Sequence, residues 1–146
     1  MRIDIAKLHH SRLQEAMDLV WETFVEFEAP EYPEEGILTF HNFICNEREL
    51  ERLEIFGAEI GGVVVGVLAM RGDHISLFFV KEEVQNQGIG RALWEYFLGQ
   101  CQAGKITVNS SPYAVPIYER LGFQAVDEEQ LTDGIRYTPM TLIISQ

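Results

Sequence analysis

Cysteine is scarce, with only Cys45 and Cys101 among 146 residues. The two lie too far apart for a zinc-type pair and are too few for a disulfide framework. They read as ordinary buried thiols in a protein from a reducing compartment. Basic residues are also few, 11 Lys and Arg against 23 Asp and Glu, which leaves a formal charge of -12. That charge repels a phosphate backbone, so nucleic acid and anionic membranes are excluded as general partners and cationic partners are favoured; it would also serve solubility alone. The longest apolar run, Gly61 to Met70, is about half of the ~20 residues that a membrane helix needs. The first residues, Met1-Arg2-Ile3-Asp4-Ile5-Ala6-Lys7, lack the apolar core of a secretory signal, and a soluble, cytoplasmic protein is expected. His9, His10 and His41 lack metal-ligand spacing and read as surface residues; no metal is expected.

Apolar residues are plentiful at 47%, with 9 Phe, 5 Tyr and 2 Trp, enough for a sizeable core in one domain spanning residues 1–146. Arg2 to Ala6 alternates as a half-buried strand does. Ser11 to about Glu28 then takes helical spacing, with Ser11 as N-cap and an apolar stripe of Leu13, Met17, Val20, Trp21, Phe24 and Phe27. Pro30 and Pro33 end that helix, and Glu34 to about Ile44 reads as a second one. Strands follow near Leu53–Ile60, Val63–Met70 and His74–Val80, parted by Gly61-Gly62 and Arg71-Gly72-Asp73, as in an antiparallel meander. Gly88 to about Gln102 is helical, Lys105 to Val108 a short strand, and Pro112 to about Leu121 helical with Gly122 as its stop. Phe123–Val126 and Arg136–Ile144 close the chain as strands, a hairpin across the loop containing Asp133-Gly134. This order predicts an α/β (α+β) fold: a mixed, mostly antiparallel central sheet with helices on both faces.

The stretch richest in chemical meaning is Leu77-Phe78-Phe79-Val80-Lys81-Glu82-Glu83-Val84-Gln85-Asn86-Gln87-Gly88-Ile89-Gly90-Arg91-Ala92-Leu93. A buried strand feeds a loop that enters a helix through two glycines, whose missing side chains let backbone N–H groups approach a ligand. Unpaired amides at a helix start carry roughly half a positive charge, enough to hold a diphosphate in an acidic protein, and Arg91 can add to it. A P-loop would need Gly-Lys followed by a hydroxyl residue, but Arg91 and Ala92 follow Gly90. A dinucleotide fingerprint would need glycine at Leu93 and a parallel unit before it.

What remains is Gln85, Gly88 and Gly90 in a Gln-x-x-Gly-x-Gly arrangement, with Val80 five positions earlier at a strand end. It resembles the coenzyme A motif of the GCN5-related N-acetyltransferases. Val108-Asn109 at a strand end, followed by Ala114-Val115-Pro116-Ile117-Tyr118-Glu119-Arg120-Leu121-Gly122-Phe123, resembles the family's second conserved helix and its turn. The motif match covers about Ile75 to Phe123; one departure is Glu82, where many members carry Pro.

The resemblance implies the acyl-CoA N-acyltransferase fold, acetyl-CoA as cosubstrate and direct transfer of the acetyl group to a primary amine in a ternary complex. It implies a gap between the strand before the glycine turn and the strand after its helix. Backbone of Phe78 and Val80 would meet the pantetheine arm there, with the Phe78 N–H polarising the thioester carbonyl. Gln85, Asn86, Gln87, Gly88, Ile89, Gly90 and Arg91 would cradle the diphosphate, and Asn109 would bond the coenzyme arm or serve only as a turn residue. Tyr118 matches the tyrosine that protonates the departing thiolate; a packed aromatic is the alternative. His74 stands where several members carry a base, with Ser76 two residues on pointing to the same face; His74 is either that base, a bystander to a water chain, or a solvated turn residue. The loop around Glu26, Glu28, Tyr32 and Glu35 either lines a negative pocket for a cationic amine or is simply hydrated. The acceptor, a small molecule or a peptide amine, stays open, as do acyl chain length and a homodimer through the last strands. A coenzyme-A-binding sensor or scaffold without turnover is the competing class.

Overall fold

The structure, a computed structural model, describes residues 2–144; Met1 of the N-terminal stretch, Ser145 and Gln146 lie outside the described residues. Strand β1 (Asp4–Lys7) leads through a short 3-10 turn, His10–Arg12, into α1 (Leu13–Phe27), followed by α2 (Glu34–Ile44) and α3 (Glu47–Glu51). A meander of β2 (Glu54–Ile60), β3 (Val63–Arg71) and β4 (His74–Val80) comes next. The chain closes with α4 (Ile89–Gln100), β5 (Lys105–Ser110), α5 (Val115–Arg120), β6 (Gln124–Ala125), β7 (Gln130–Thr132) and β8 (Ile135–Ile143). The sheet runs β1-β2-β3-β4-β5-β8-β6, with β7 paired to β8. Its ladders are antiparallel except β4 with β5.

Strand β3 reads as a nearly unbroken apolar run because both of its faces are covered. Val67 and Ala69 join Ala16, Val20 and Phe24 of α1 in one core, whereas Leu68 and Met70 join Leu93, Trp94 and Phe97 of α4 in the other. Each fully buried side chain of this size contributes ~1.5–3 kcal/mol, so the two helices fix the sheet from opposite sides as expected.

Several local expectations are corrected. Ser11 is not the N-cap of α1: its own N–H donates to His9 Nδ1 at 3.1 Å, and Arg12 occupies the cap position without a side-chain cap bond. The extra turn that His9 closes consumes the residues assigned to the helix start. Helix α3 was not anticipated, although Asn46 Oδ1 accepts from the N–H groups of Arg48 and Glu49, as a good N-cap does. Strand β7 is also additional: the turn at Asp133-Gly134 joins it to β8, while β6 pairs with β8 further along. The thiols are not buried, because both stand at helix C-caps where the chain leaves the core. Cys45 is exposed beside His41, its Sγ 3.7 Å from Nε2, and Cys101 is half-buried.

The β7–β8 turn leans directly on α2. A Cβ on Gly36 would meet the Gly134 carbonyl oxygen, and one on Gly134 would meet the Gly36 backbone, so only glycine permits this approach. Thr39 Oγ1 donates to the Asp133 carbonyl at 2.9 Å and holds the contact. Helix α2 is thereby fixed over the open side of β4. Among the described residues no helix is long and apolar enough to cross a membrane.

Candidate active site

Strand β4 is paired along its length with β3, from Arg71↔His74 to Gly66↔Val80. On its other side it meets β5 only at His74↔Thr107 and Ile75↔Val108. The two parallel strands part beyond that point. A bulge helps: Met70 faces Ile75 and Ala69 faces Leu77, so Ser76 has no partner and the strand bends there. The same bulge interrupts the alternation on which a shared face for His74 and Ser76 depended.

Beyond the bulge the backbone orientation follows from one bond. The Lys81 N–H donates to the Val65 carbonyl at 2.8 Å, and alternation along the ladder then turns the N–H and C=O of Phe78 and Val80 away from β3, toward the gap. Gln85 Nε2 donates to the Val80 carbonyl at 2.9 Å, tying the glycine loop to the strand end. The Gln85 side chain is thus committed to positioning the loop.

The loop opens α4 at Gly88, whose φ of +84° lies in the left-handed region; a Cβ there would meet nothing within 4 Å, so the turn is open on its outer side. The Ala92 N–H donates to the Gly88 carbonyl at 2.9 Å as the first helical bond. The N–H groups of Ile89, Gly90 and Arg91 therefore precede the intrahelical ladder. Asn86, Gln87, Gly88 and Arg91 are exposed, no acidic residue stands in the first turn, and among the described residues Arg91 has only a loose pairing with Glu95 at 3.8 Å. The Ile89 side chain is core, 1% exposed, so this residue can offer a ligand only its backbone. Open glycine, unpaired amides and an arginine suit a diphosphate-bearing group.

Where β4 and β5 separate there is a cavity of about 310 Å³. Phe78 and Ser76 line it from β4, Asn109 from β5 and Tyr118 from α5; Glu28 and Tyr32 close it from the loop after α1. Tyr118 is 6% exposed, with its ring 5.4 Å from Phe123 and 6.3 Å from Phe78. Burial, and then the charge of Glu28, push its phenol well above the ordinary range, so it holds its proton at neutral pH. The hydroxyls of the other cavity tyrosines are engaged: Tyr32 donates to the Arg136 carbonyl and Tyr137 to Gln130 Oε1, each at 3.3 Å.

The acidic loop divides in two. Glu26 and Glu35 face solvent outside the cavity, whereas Glu28, as the C-cap of α1, turns inward with its N–H donating to the Phe24 carbonyl at 2.9 Å. Burial above all, opposed by the nearby Ser111 hydroxyl and reinforced by Glu31, brings the Glu28 carboxyl up to about 7. His74 stands elsewhere. It is half-buried where β4 and β5 still pair, with Nδ1 2.8 Å from Thr107 Oγ1, and it does not line the cavity. Burial first and Arg71 second depress its pKa.

Sequence reasoning did not find Ser111, or the aromatic wall of Phe24, Phe40 and Phe43. The hydroxyl pair Ser110-Ser111 between a strand and Pro112 was the available sign of a polar group at the gap.

Comparison with known proteins gives a consistent picture. Residues 28–144 match the family described as "Acetyltransferase (GNAT) domain". A peptidyl-lysine N-acetyltransferase, YjaB of Salmonella typhimurium, is 31% identical over 81 residues, 54% of this chain and 56% of that protein. The match thus spans little more than half the length of that curated relative. Among solved structures, a GCN5-related N-acetyltransferase of Rhodopseudomonas palustris, also described as "Aminotransferase, Class-II", superposes with a TM-score of 0.83 at 20% identity, covering 99% of this chain and 97% of that one. The apo form of YjaB from Escherichia coli gives 0.76 at 22% identity over 98% and 97%. PaiA N-acetyltransferase of Thermoplasma acidophilum, solved in complex with coenzyme A, gives 0.70 at 20% identity over 99% and 100%. At such identities the likeness speaks for the fold.

Proposed function

This chain belongs to the acetyltransferase (GNAT) family, and on that footing we propose that it moves the acetyl group of acetyl-CoA directly to a primary amine carried on an apolar stem. The observation that carries the proposal is the parting of β4 from β5 beside an open glycine turn, with Tyr118 at the gap. In this reading the amides of Ile89, Gly90 and Arg91 and the Arg91 side chain hold the diphosphate. The pantetheine arm enters beside Phe78 and Val80, and Asn109 bonds it from the other strand.

The Phe78 N–H faces the gap and is the donor for the thioester carbonyl oxygen. A fixed donor in a dry site lowers the barrier for a developing oxyanion by ~3 kcal/mol. As the carbon–sulfur bond breaks, Tyr118 passes its proton to the thiolate. Its phenolate then regains a proton from the nitrogen of the new amide. Neither cysteine lines the gap cavity, which suits direct transfer without an acyl-enzyme.

The gap cavity also suits an acceptor class. Its walls are largely aromatic and aliphatic, and among its lining residues Glu28 is the one acid. An ammonium on a short methylene chain, as in a lysine side chain of a peptide, fits better than a polyamine with several charges to satisfy. The curated relative's description as a peptidyl-lysine enzyme points the same way. Thiol release from acetyl-CoA, followed against lysine peptides, other primary amines and polyamines, tests this. Turnover on the peptides and apolar amines above the polyamines is expected. Tight coenzyme A binding with no turnover on any amine would instead make the protein a coenzyme-binding module.

A further inference from the structure

We infer that Glu28 is the general base that takes the proton from the incoming ammonium, an assignment that rests on the acetyl-transfer reading above. The first ground is position. Glu28 projects into the cavity that Phe78, Asn109 and Tyr118 also line, where an amine must sit to reach a carbonyl held at the gap. No Lys, Arg or His lines that cavity among the described residues, so an ammonium entering it meets one carboxylate and a wall of Phe24, Phe40 and Phe43. His74 is at the closed end of the strand pair, engaged with Thr107.

The second ground is that Glu28 can titrate in the working range. Burial, opposed by the Ser111 hydroxyl and with Glu31 adding to it, brings the carboxyl to about 7. The titratable and charged groups around it are Glu31 on the same loop, Tyr32 beside it, and Tyr118 and Tyr137 across the cavity, with the Ser111 hydroxyl lining the same cavity. Both tyrosines whose phenols feel the Glu28 charge are raised, Tyr32 and Tyr118, so neither competes for the proton at neutral pH. An amine of ordinary pKa ~10.4 would not give its proton to a carboxylate in water. Partial burial strips hydration from both members of an ion pair, and the neutral pair of amine and carboxylic acid becomes accessible.

The protons then balance. The ammonium gives one proton to the Glu28 carboxylate and becomes the nucleophile. Its nitrogen bonds the acetyl carbon, the carbon–sulfur bond breaks, and the thiolate takes the Tyr118 proton. The amide nitrogen returns one to Tyr118, and Glu28 releases its proton to solvent before the next cycle.

The test is the pH dependence of kcat/KM for acetyl-CoA-dependent acetylation of a lysine peptide by the full chain, with calorimetric coenzyme A affinity measured alongside. Wild-type activity should rise through an inflection near 7 as Glu28 ionises. Glu28→Gln should lose roughly 100-fold or more at neutral pH and lose the inflection, leaving activity that simply follows the free-amine fraction. Ser111→Ala removes a neighbouring hydroxyl that favours the carboxylate, so its inflection should move to higher pH. Coenzyme A affinity should be unchanged in both variants. If Glu28→Gln cannot bind coenzyme A because it misfolds, the direction of the Ser111→Ala shift carries the test. An inflection that survives in Glu28→Gln, or that Ser111→Ala leaves in place, overturns the assignment of Glu28 alone. Wild-type protein without turnover on any amine overturns the acetyl-transfer reading instead.

Discussion

The two ends of β4 have the same neighbours on one side and opposite fates on the other. At its start, His74 and Ile75 pair with β5 and the sheet is continuous. At its finish, Phe78 and Val80 turn backbone groups toward a gap, and the glycine turn begins a few residues later. Each end has a titratable side chain nearby, and burial acts on both in the same sense, favouring the neutral form: His74 is depressed and Glu28 is raised. The shifted pKa alone therefore does not distinguish a working group from a structural one. Access to the cavity does, and only Glu28 has it.

The comparison breaks most completely if the open end cannot hold its ligand. Gly88→Glu places a carboxylate where the turn is open, and repulsion from the diphosphate should weaken coenzyme A binding by about 100-fold or more in calorimetry. The left-handed φ costs a non-glycine residue ~1–2 kcal/mol, which a domain of this size survives, so the melting transition should persist. Unchanged affinity in a folded variant would remove the cradle from the account. Next in size is Tyr118→Phe. It keeps the ring packing against Phe123 and Phe78 but deletes the proton donor, so kcat should fall by roughly 10²- to 10⁴-fold with coenzyme A affinity intact. Full activity in Tyr118→Phe would leave the thiolate to another donor.

Much of this arrangement is written in residue types. Gly88 is needed for its left-handed backbone, Pro30 and Pro33 break the chain between α1 and α2, and Gly122 at φ +104° stops α5; each marks its position in the sequence. That is why β4, α2 and the glycine turn could be placed from spacing alone, and why Tyr118 could be singled out from its motif. The parting of β4 from β5 is different, since it depends on registers between segments about thirty positions apart, and the Ser76 bulge depends on how β3 pairs. Nor does sequence separate Glu28 from Glu26 or Glu35. Three carboxylates within one acidic stretch differ only in what folds around them, and Glu28 differs because Phe24, Phe40 and Ser111 converge there from separate elements. The α3 cap was in plain view, with Asn46 three residues before Glu49, but five residues of helix give little periodicity to read.

The finest contrast concerns the closed end, and its expected effect is the smallest. His74→Ala removes the hydrogen bond to Thr107, which contributes ~1 kcal/mol to stability, but touches neither the cavity nor the glycine turn. Turnover at pH 8 should therefore change by no more than about twofold. Its stability should carry a pH signature. Because the folded pKa of His74 lies below its unfolded value of 6.5, the unfolded chain binds more protons between the two. Stability from the neutral imidazole is thus fully present above pH 6.5 and drains away as pH falls toward the folded pKa. Alanine does not titrate, so the melting-temperature advantage of wild type over His74→Ala should be largest at pH 8 and should shrink at pH 5. A loss of turnover as deep as that expected for Glu28→Gln would reverse the comparison and move the proton's destination to the sealed end of the strand pair.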